Sequence, residues 1–472
     1  MPTGKELAPL VRYVDGVGNA AITRARKKEV APEKDLLEEV HVLPETMVVT
    51  EADKRFEAAL SLTVEDPTEF IRGQRRAQPP LVKGARVSVE TMLGFLEALS
   101  ALSKECQSFP SKESVKVSFR PGDEPRVFIE GGVDGIWTAV AIRAESSLKE
   151  GFDALLPLER GINVLSTESP GRGVVIGVDK KGFCLGSHSV PFGGKVQDFP
   201  SSPAPLAPMA KGALPMSCCQ EISSRVARAT HPKTLFGNLH SLLLDFDVYE
   251  LEGGSVVMGT VVATDGCRMH ILQLPRMQMK IENGRLPPAI RVPPAFFSYL
   301  SSVVESKGAV LEFRDDQIVA KGVDFMVRAS ATVEKQSEPT EVGRWRSANV
   351  SYGGYWMIDS TRIEAMLASA GGEFARIRLD GMYEEMTVSS KASDGSYYEE
   401  QDSSHVSNFA GATVVNVLLD RKYLLDAIKA CSSSQIRMEF EHDTDKQPQS
   451  PVVIRGEDEQ FRAVVMPAEE DE

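Results

Sequence analysis

The sequence predicts an α+β fold built from three copies of one structural unit. Three segments each run from a strand-like edge into an amphipathic helix, at residues 87–99, 214–228 and 356–367. A second strand-to-helix element follows in each unit, at residues 154–165, 290–300 and 415–428. Short β-branched strands and charged turns come next, with strands at residues 173–177, 309–313 and 436–440. The shared order of helix, strands, helix and strands indicates an internal repeat.

The first helix of the third unit carries the clearest local signals. Asp359 or Ser360 supplies an N-cap side chain, which favours a helix start at this point. Ile363, Met366 and Leu367 follow at spacings of i, i+3 and i+4, so they share one helix face. The pattern predicts a helix with one apolar face.

Changes in composition divide the 472 residues into four parts. Residues 200–208 are rich in proline and serine and residues 334–354 are polar, so both are expected to be linkers. The predicted parts are a partly disordered N-terminal extension at 1–85 and domains at 86–205, 214–335 and 354–472. The extension mixes basic clusters with acidic runs. It is either a solvated segment with short helices or an arm that touches DNA or a partner.

Composition favours a soluble, cytoplasmic protein. Hydrophobic residues make up 42% and charged residues 25%, and no apolar run approaches the roughly 20 residues that cross a bilayer. The formal charge of -14 argues against nonspecific nucleic-acid binding by the chain as a whole, but it permits a few cations concentrated on one surface. The six cysteines lack zinc-ligand spacing, so free buried thiols are expected.

Signals for catalysis are weak. Gly16-Val-Gly18 lacks the third glycine of a dinucleotide motif, and no phosphate-binding loop is present. The seven histidines are scattered, with no pair at metal-binding helical spacing. The sequence therefore predicts no catalytic residue, no cofactor and no metal site. An enzyme of unrecognised type that uses the N-terminal extension remains as an alternative.

Two separate motifs carry a family resemblance. The second unit contains Ala-Thr-Asp-Gly-Cys-Arg-Met at 263–269, and the third unit ends in Val-Val-Met-Pro at 464–467. Both resemble motifs of the bacterial β sliding clamp, the DNA polymerase III beta subunit family, over residues 86–467. The resemblance implies three clamp-type domains, with helices lining a DNA hole and sheets outside, and a head-to-tail dimeric ring.

The resemblance also implies a pocket that captures short partner peptides. Each apolar residue in it, taken alone, is equally expected of an ordinary core, so the assignment depends on the matching positions together. The implied pocket residues are Leu239, Thr264, Gly266, Arg268, Met269, Tyr423, Val464, Val465, Met466 and Pro467.

A clamp of this family acts by encirclement and not by catalysis. The implied function is processivity, because a ring around duplex DNA tethers a replicative polymerase without reading sequence. The implied partners are duplex DNA, the polymerase, clamp-loader subunits and a second copy of the chain, with no membrane. Localisation is expected to be cytoplasmic and nucleoid-associated. The DNA-facing candidates are Arg160, Arg225, Arg228, Lys233, Lys422 and Lys429.

The chain departs from the family at the predicted dimer contact and in the pocket. Val190 and Phe192 keep an apolar surface in the first domain, but Gly371 and Gly372 replace large apolar residues in the third. Cys267 stands where the family has histidine, Asp420 replaces an asparagine, and residues 468–472 are acidic. These departures leave open an alternative, a non-encircling clamp-like scaffold or regulator that binds the same peptides.

Overall fold

The computed structural model describes residues 84–468 with internal gaps. The gaps are at 106–113, 134, 170, 172, 181, 201–206, 232–238, 252–253, 282–288, 304–308, 315, 323, 334–351, 411–413 and 441–449. The chain divides into one unit of Met1–Arg75 with Gly343–Ser347 and another of Arg76–Val342 with Ala348–Glu472. All described residues belong to the second unit. The predictions for the extension at 1–83 therefore lie outside the described residues.

The first repeat begins with a strand that runs directly into a helix, as predicted. Its helices are α1 (Val89–Glu105) and α2 (Leu158–Leu165), and Val196–Asp198 forms a 3₁₀ turn. Its strands are β1 (Ala85–Ser88), β2 (Ser114–Arg120), β3 (Arg126–Val133), β4 (Ile136–Arg143), β5 (Glu145–Ser146), β6 (Phe152–Pro157), β7 (Gly173–Val178), β8 (Phe183–Leu185) and β9 (His188–Val190).

The second repeat has the same element order with an irregular first helix. Helix α3 (Met216–Glu221) continues into a π-helical turn at Ile222–Val226 and a 3₁₀ turn at Ala227–Ala229, and α4 is Pro294–Val303. The strands are β10 (Ala210–Leu214), β11 (Leu242–Leu251), β12 (Gly254–Thr264), β13 (Arg268–Gln273), β14 (Met277–Ile281), β15 (Ala289–Val292), β16 (Ala309–Phe313), β17 (Gln317–Lys321), β18 (Phe325–Ser330) and β19 (Thr332–Val333).

The third repeat confirms the N-cap prediction, because the Asp359 side chain accepts a hydrogen bond from the Arg362 amide at 2.8 Å. Its helices are α5 (Ser360–Ser369) and α6 (Arg421–Cys431). Its strands are β20 (Gly354–Asp359), β21 (Phe374–Asp380), β22 (Glu385–Lys391), β23 (Tyr397–Asp402), β24 (Val406–Ala410), β25 (Val414–Asp420), β26 (Gln435–Phe440), β27 (Val452–Arg455) and β28 (Phe461–Val465).

Hydrogen-bonded strands connect the three repeats. A five-stranded sheet β5-β1-β7-β8-β9 belongs to the first repeat and a four-stranded sheet β23-β22-β21-β25 to the third, and the other 19 described strands form one connected array. Two antiparallel pairings cross between repeats, β4 with β18 and β13 with β28. In each crossing, a strand from the first antiparallel series of one repeat (β2–β3–β4 or β11–β12–β13) pairs with the last strand of the second antiparallel series of the next repeat (β16–β17–β18 or β26–β27–β28).

The core lies between the sheets and the helices. Alternate strand residues, such as Leu242 and Leu244 on β11, join one hydrophobic core together with the apolar helix faces. The predicted face of α5 is confirmed, since Ile363, Met366 and Leu367 are all buried. Within the described part of the chain, no helix is both long and apolar enough to span a membrane. The architecture is therefore the predicted α+β repeat.

Candidate functional site

The C-terminal strand joins the second and third repeats. Strand β28 pairs with β13 on one side and with β27 on the other. Beyond the strand, the Met466 amide donates to the Cys267 carbonyl at 2.9 Å, and the Ala468 amide donates to the Leu418 carbonyl at 2.8 Å. Pro467 forms a single antiparallel bridge with Leu419. The two motifs found in the sequence therefore meet in space.

The turn between β12 and β13 is fixed by its own side chains. Thr264 Oγ1 donates to the Arg268 carbonyl at 2.7 Å and accepts from the Gly266 amide at 3.1 Å. Asp265 Oδ1 accepts from the amides of Cys267 and Arg268, both at 3.1 Å. Gly266 has a φ of +97°, which a residue with a Cβ adopts only with strain. The motif thus specifies one rigid turn.

Arg268 fixes this turn to helix α6 of the third repeat. Its Nε donates to Asp265 Oδ2 at 3.0 Å, one terminal nitrogen to Asp426 Oδ2 at 2.6 Å, and the other to the Arg228 carbonyl at 2.7 Å. The guanidinium also lies 4.4 Å from the centroid of the Tyr423 ring. Because the side chain is buried, Arg268 builds the wall of a site and leaves contact with a ligand to its neighbours.

Exposed and half-buried residues gather around Tyr423. Met466 is 42% exposed, Gly266 and Cys267 are exposed, and Leu239, Thr264, Met269 and Pro467 are half-buried. A Cβ placed on Gly266 would lie 3.9 Å from Leu239 Cδ1, so this leucine borders the turn. The predicted pocket residues are thus distributed over the turn, the C-terminal strand and α6.

Val465, a predicted pocket residue, has no exposed surface. Its side chain is fully buried in the hydrophobic core with Ala463, because alternate residues of β28 point to opposite faces. Val464 and Met466 point the other way, and Val464 is also buried. The surface that a ligand could touch on this strand is therefore Met466 and Pro467.

Burial and two carboxylates act on the titratable side chains of the pocket. Burial raises the pKa of the Tyr423 hydroxyl, and the carboxylates of Asp265 and Asp420 raise it further. The pKa of the Cys267 thiol is raised by burial and by the same two carboxylates. Cys267 is exposed, which corrects the prediction that all thiols are buried, whereas Cys218, Cys219 and Cys431 are buried as expected.

Arg225, one of the predicted DNA-facing residues, is engaged inside the protein. Its side chain is buried, Nε donates to the Ala430 carbonyl at 2.6 Å, and a terminal nitrogen donates to Asp458 Oδ2 at 2.8 Å. The guanidinium lies 4.3 Å from the centroid of the Phe461 ring. The π-helical turn, which closes with i→i+5 hydrogen bonds, changes the helix register and rotates this residue away from Arg228.

The other cationic candidates remain at the surface. Arg160, Arg228, Lys422 and Lys429 are exposed, and Lys233 lies outside the described residues. The Arg228 carbonyl accepts a hydrogen bond from Arg268, and the Arg228 side chain takes no part in this contact. These four side chains stay candidates for a cationic surface.

The four dimer candidates differ in exposure. Phe192 is 42% exposed and Gly371 is exposed, whereas Val190 is buried. Gly372 is buried, and a Cβ there would lie 2.3 Å from Ser390 Oγ and 2.5 Å from the Lys391 carbonyl oxygen. Close packing therefore explains Gly372 by itself, without any second chain.

The sequence reasoning missed two residues of the site. Asp426 binds Arg268, although nothing in the sequence links positions 158 residues apart. Phe374 lies directly opposite Asp420 in the β21–β25 pairing and is 40% exposed. The alternation of β21, with Ala375, Ile377 and Leu379 inside, could have indicated an outward Phe374.

No group of three or more metal-ligating side chains converges within the described ranges. The geometry offers partly exposed apolar side chains beside a fixed turn, which suits binding of a peptide segment.

Comparison with solved structures identifies the fold. The DNA polymerase III subunit beta of Pseudomonas aeruginosa superposes with a TM-score of 0.63 at 16% identity, covering 82% of this chain and 99% of that chain. The beta subunit of Thermotoga maritima gives 0.66 at 13% identity, with 82% and 99% covered. A Bartonella birtlesii sliding clamp bound to griselimycin gives 0.65 at 14% identity, with 82% and 100% covered.

No protein-family model and no curated protein sequence matches the chain. The structural matches nevertheless span nearly the whole of each clamp, and they agree with the two motifs and the threefold repeat. The chain has the fold of the bacterial DNA polymerase III β sliding clamps.

Proposed function

We propose that this protein is a DNA sliding clamp that encircles duplex DNA and binds partner peptides in the pocket at Tyr423 and Met466. The observation that carries the proposal is the repeated strand crossing between successive repeats. In the described part of the chain, the first and third repeats each keep an end strand that pairs with no other repeat. If those two strands pair between two copies in the same way, the two copies form a closed ring. A head-to-tail contact that closes is the expected route to a ring.

The edges available for that contact follow from the internal repeat. Strand β23 occupies in the third repeat the place of β4 and β13, and β9 occupies in the first repeat the place of β18 and β28. Among the described strands, β9 and β23 are end strands of their sheets. We therefore assign the dimer contact to antiparallel pairing of β23 with β9 of a second copy.

Side chains at these edges suit the contact. Tyr397 of β23 is 66% exposed and Phe192, just after β9, is 42% exposed, so apolar surface is present on both partners. Arg362 of α5 binds Asp402 at 2.5 Å and Glu400 at 2.6 Å, which offsets part of the negative charge of β23. Gly371 and Gly372 are not needed for this pairing.

A hole lined by Arg160, Arg228, Lys422 and Lys429 would hold the duplex loosely. Their exposure leaves them free to release counterions from phosphates, and nothing in this set reads base edges. A dimer would double the set. Tethering a polymerase to such a ring raises its effective concentration at the primer end.

Retention on DNA of different topology tests encirclement. The protein is incubated with nicked circular plasmid, with a clamp loader from a bacterial relative and ATP to open the ring, and then passed over a sizing column. A ring stays with the circle and leaves after a restriction enzyme linearises it. Equal retention on circular and linear DNA would contradict encirclement.

A non-encircling scaffold is the second candidate, and the acidic side chains of β23 favour it. Three of its six residues are carboxylates, Glu399, Glu400 and Asp402, and such an edge opposes pairing with another strand. A scaffold would bind pocket peptides but would wash off circular and linear DNA alike.

A further inference from the structure

The pocket continues across the sheet to a residue outside its predicted boundary. The bridge between Leu419 and Pro467, extended by one residue, sets Met466 opposite Asp420. Asp420 lies opposite Phe374 on its other side. Met466 and Phe374 are both exposed, at 42% and 40%, and adjacent strands are about 4.8 Å apart. Two exposed apolar side chains therefore flank one carboxylate, at a separation of about 10 Å.

The Asp420 carboxylate is held at this point by the start of α6. Its Oδ1 accepts the Tyr423 amide at 2.9 Å, which is an N-cap hydrogen bond. Two neighbouring cations are engaged elsewhere: Arg421 donates to the Gly372 carbonyl at 2.6 Å, and Arg268 is bound by Asp426 and Asp265. Lys422 is exposed on the first turn of α6.

Titratable side chains beside Asp420 respond to its charge. The raised pKa values of Tyr423 and Cys267, due first to burial and then to Asp265 and Asp420, agree with carboxylate charge at this point.

We infer that the partner peptides of this pocket carry a lysine or arginine that pairs with Asp420, flanked by apolar residues that pack on Met466 and Phe374. The inference rests on the proposed function, because it names the peptide class that the pocket selects. Charge complementarity of this kind contributes specificity and association rate more than raw affinity. An acidic segment at the same position would be repelled by Asp420.

The first step of the test is selection from a library of random heptapeptides displayed on phage, with the immobilised full chain as target. Peptides that survive on the wild-type protein but not on Met466→Ala/Tyr423→Ala report the pocket. The expected result is enrichment of a basic residue next to apolar residues. Pocket-dependent peptides without a basic residue would overturn the inference and leave the proposed pocket standing.

The second step measures the most enriched heptapeptide by fluorescence anisotropy, with its basic residue kept or replaced by glutamine or glutamate. At 0.1 M salt the basic form should bind the wild-type chain about tenfold more tightly than the glutamate form. Asp420→Asn preserves the N-cap and should reduce this ratio to close to one. Phe374→Ala should lower the affinity for all three peptide forms by the same factor.

The outcomes separate the two claims. An unchanged ratio in Asp420→Asn would overturn the role of Asp420. Equal binding of the three peptide forms to the wild-type chain would overturn the charge selection alone. If no peptide depends on Met466 and Tyr423, the pocket itself fails, and the inference fails with it.

Discussion

Arg225→Ala should loosen the contact between the second and third repeats without weakening DNA binding. The side chain caps the C-terminal end of α6 through the Ala430 carbonyl, binds Asp458 and stacks on Phe461. Truncation leaves those carbonyl and carboxylate groups without their cation. Its neighbour Arg228 is exposed and provides a matched control on the same helix.

The expected magnitude follows from these contacts. Removing one partner of a buried ion pair costs about 3–5 kcal/mol. The Asp458 side chain is 39% exposed, so water replaces part of the lost interaction and the lower end applies. A loss of about 3 kcal/mol corresponds to roughly a 100-fold change in an opening equilibrium.

Hydrogen exchange followed by mass spectrometry measures that opening directly. Amides in the last turn of α6 should exchange about 100-fold faster in Arg225→Ala and at the wild-type rate in Arg228→Ala. DNA affinity should respond in the opposite sense, with Arg228→Ala reducing the dependence on salt and Arg225→Ala leaving it unchanged. Equal exchange in both variants, or a loss of DNA affinity confined to Arg225→Ala, would refute the reasoning.

Three further predictions concern the pocket, the β13–β28 contact between the second and third repeats, and the packing of the third repeat. Met466→Ala combined with Tyr423→Ala should weaken pocket peptides at least tenfold in anisotropy titrations, and unchanged affinity would contradict the pocket. Burial lowers the pKa of His270 to about 4, below its unfolded value of about 6.5, so the unfolded chain binds the proton first. Stability should therefore fall by about 3 kcal/mol as the pH falls from 6.5 to 4, and urea midpoints of His270→Gln should lack this component. Gly372→Ala should lower the melting temperature because its Cβ has no room, whereas Gly371→Ala should not, and equal shifts would count against the packing account.

The sequence was sufficient for the features that depend on local pattern. The repeat order, the N-cap at Asp359 and the apolar face of α5 follow from residue type and spacing, and the structure confirms them. The turn at 263–269 was predictable as well, because its threonine, aspartate and glycine satisfy one another within a few residues. Local chemistry therefore determines these elements.

Features that depend on a second strand or helix were not predictable in the same way. Arg225 and Arg228 share a face only in a regular α-helix, and the π-helical turn that separates them forms where Arg225 can reach α6. Val465 was assigned to the pocket together with the rest of its motif, and its burial could not be seen from that motif alone. The alternation of β28 between two partner strands buries it and leaves Met466 exposed.

The place of Phe374 beside the pocket was also not predictable from local sequence. Its outward position follows from the alternation of β21, but its proximity to the pocket depends on the pairing of β21 with β25 and on the bridge at Pro467. Register between distant strands is set by packing and not by the sequence of either strand alone.

The central claim is that two copies close into a ring, and sedimentation equilibrium over a wide concentration range tests it most directly. The wild-type chain should sediment at twice its mass of 51.5 kDa. Phe192→Lys should shift the balance to monomer, whereas Val178→Lys, at a residue of similar exposure, should not. A wild-type chain that remains a monomer at every concentration would contradict the ring.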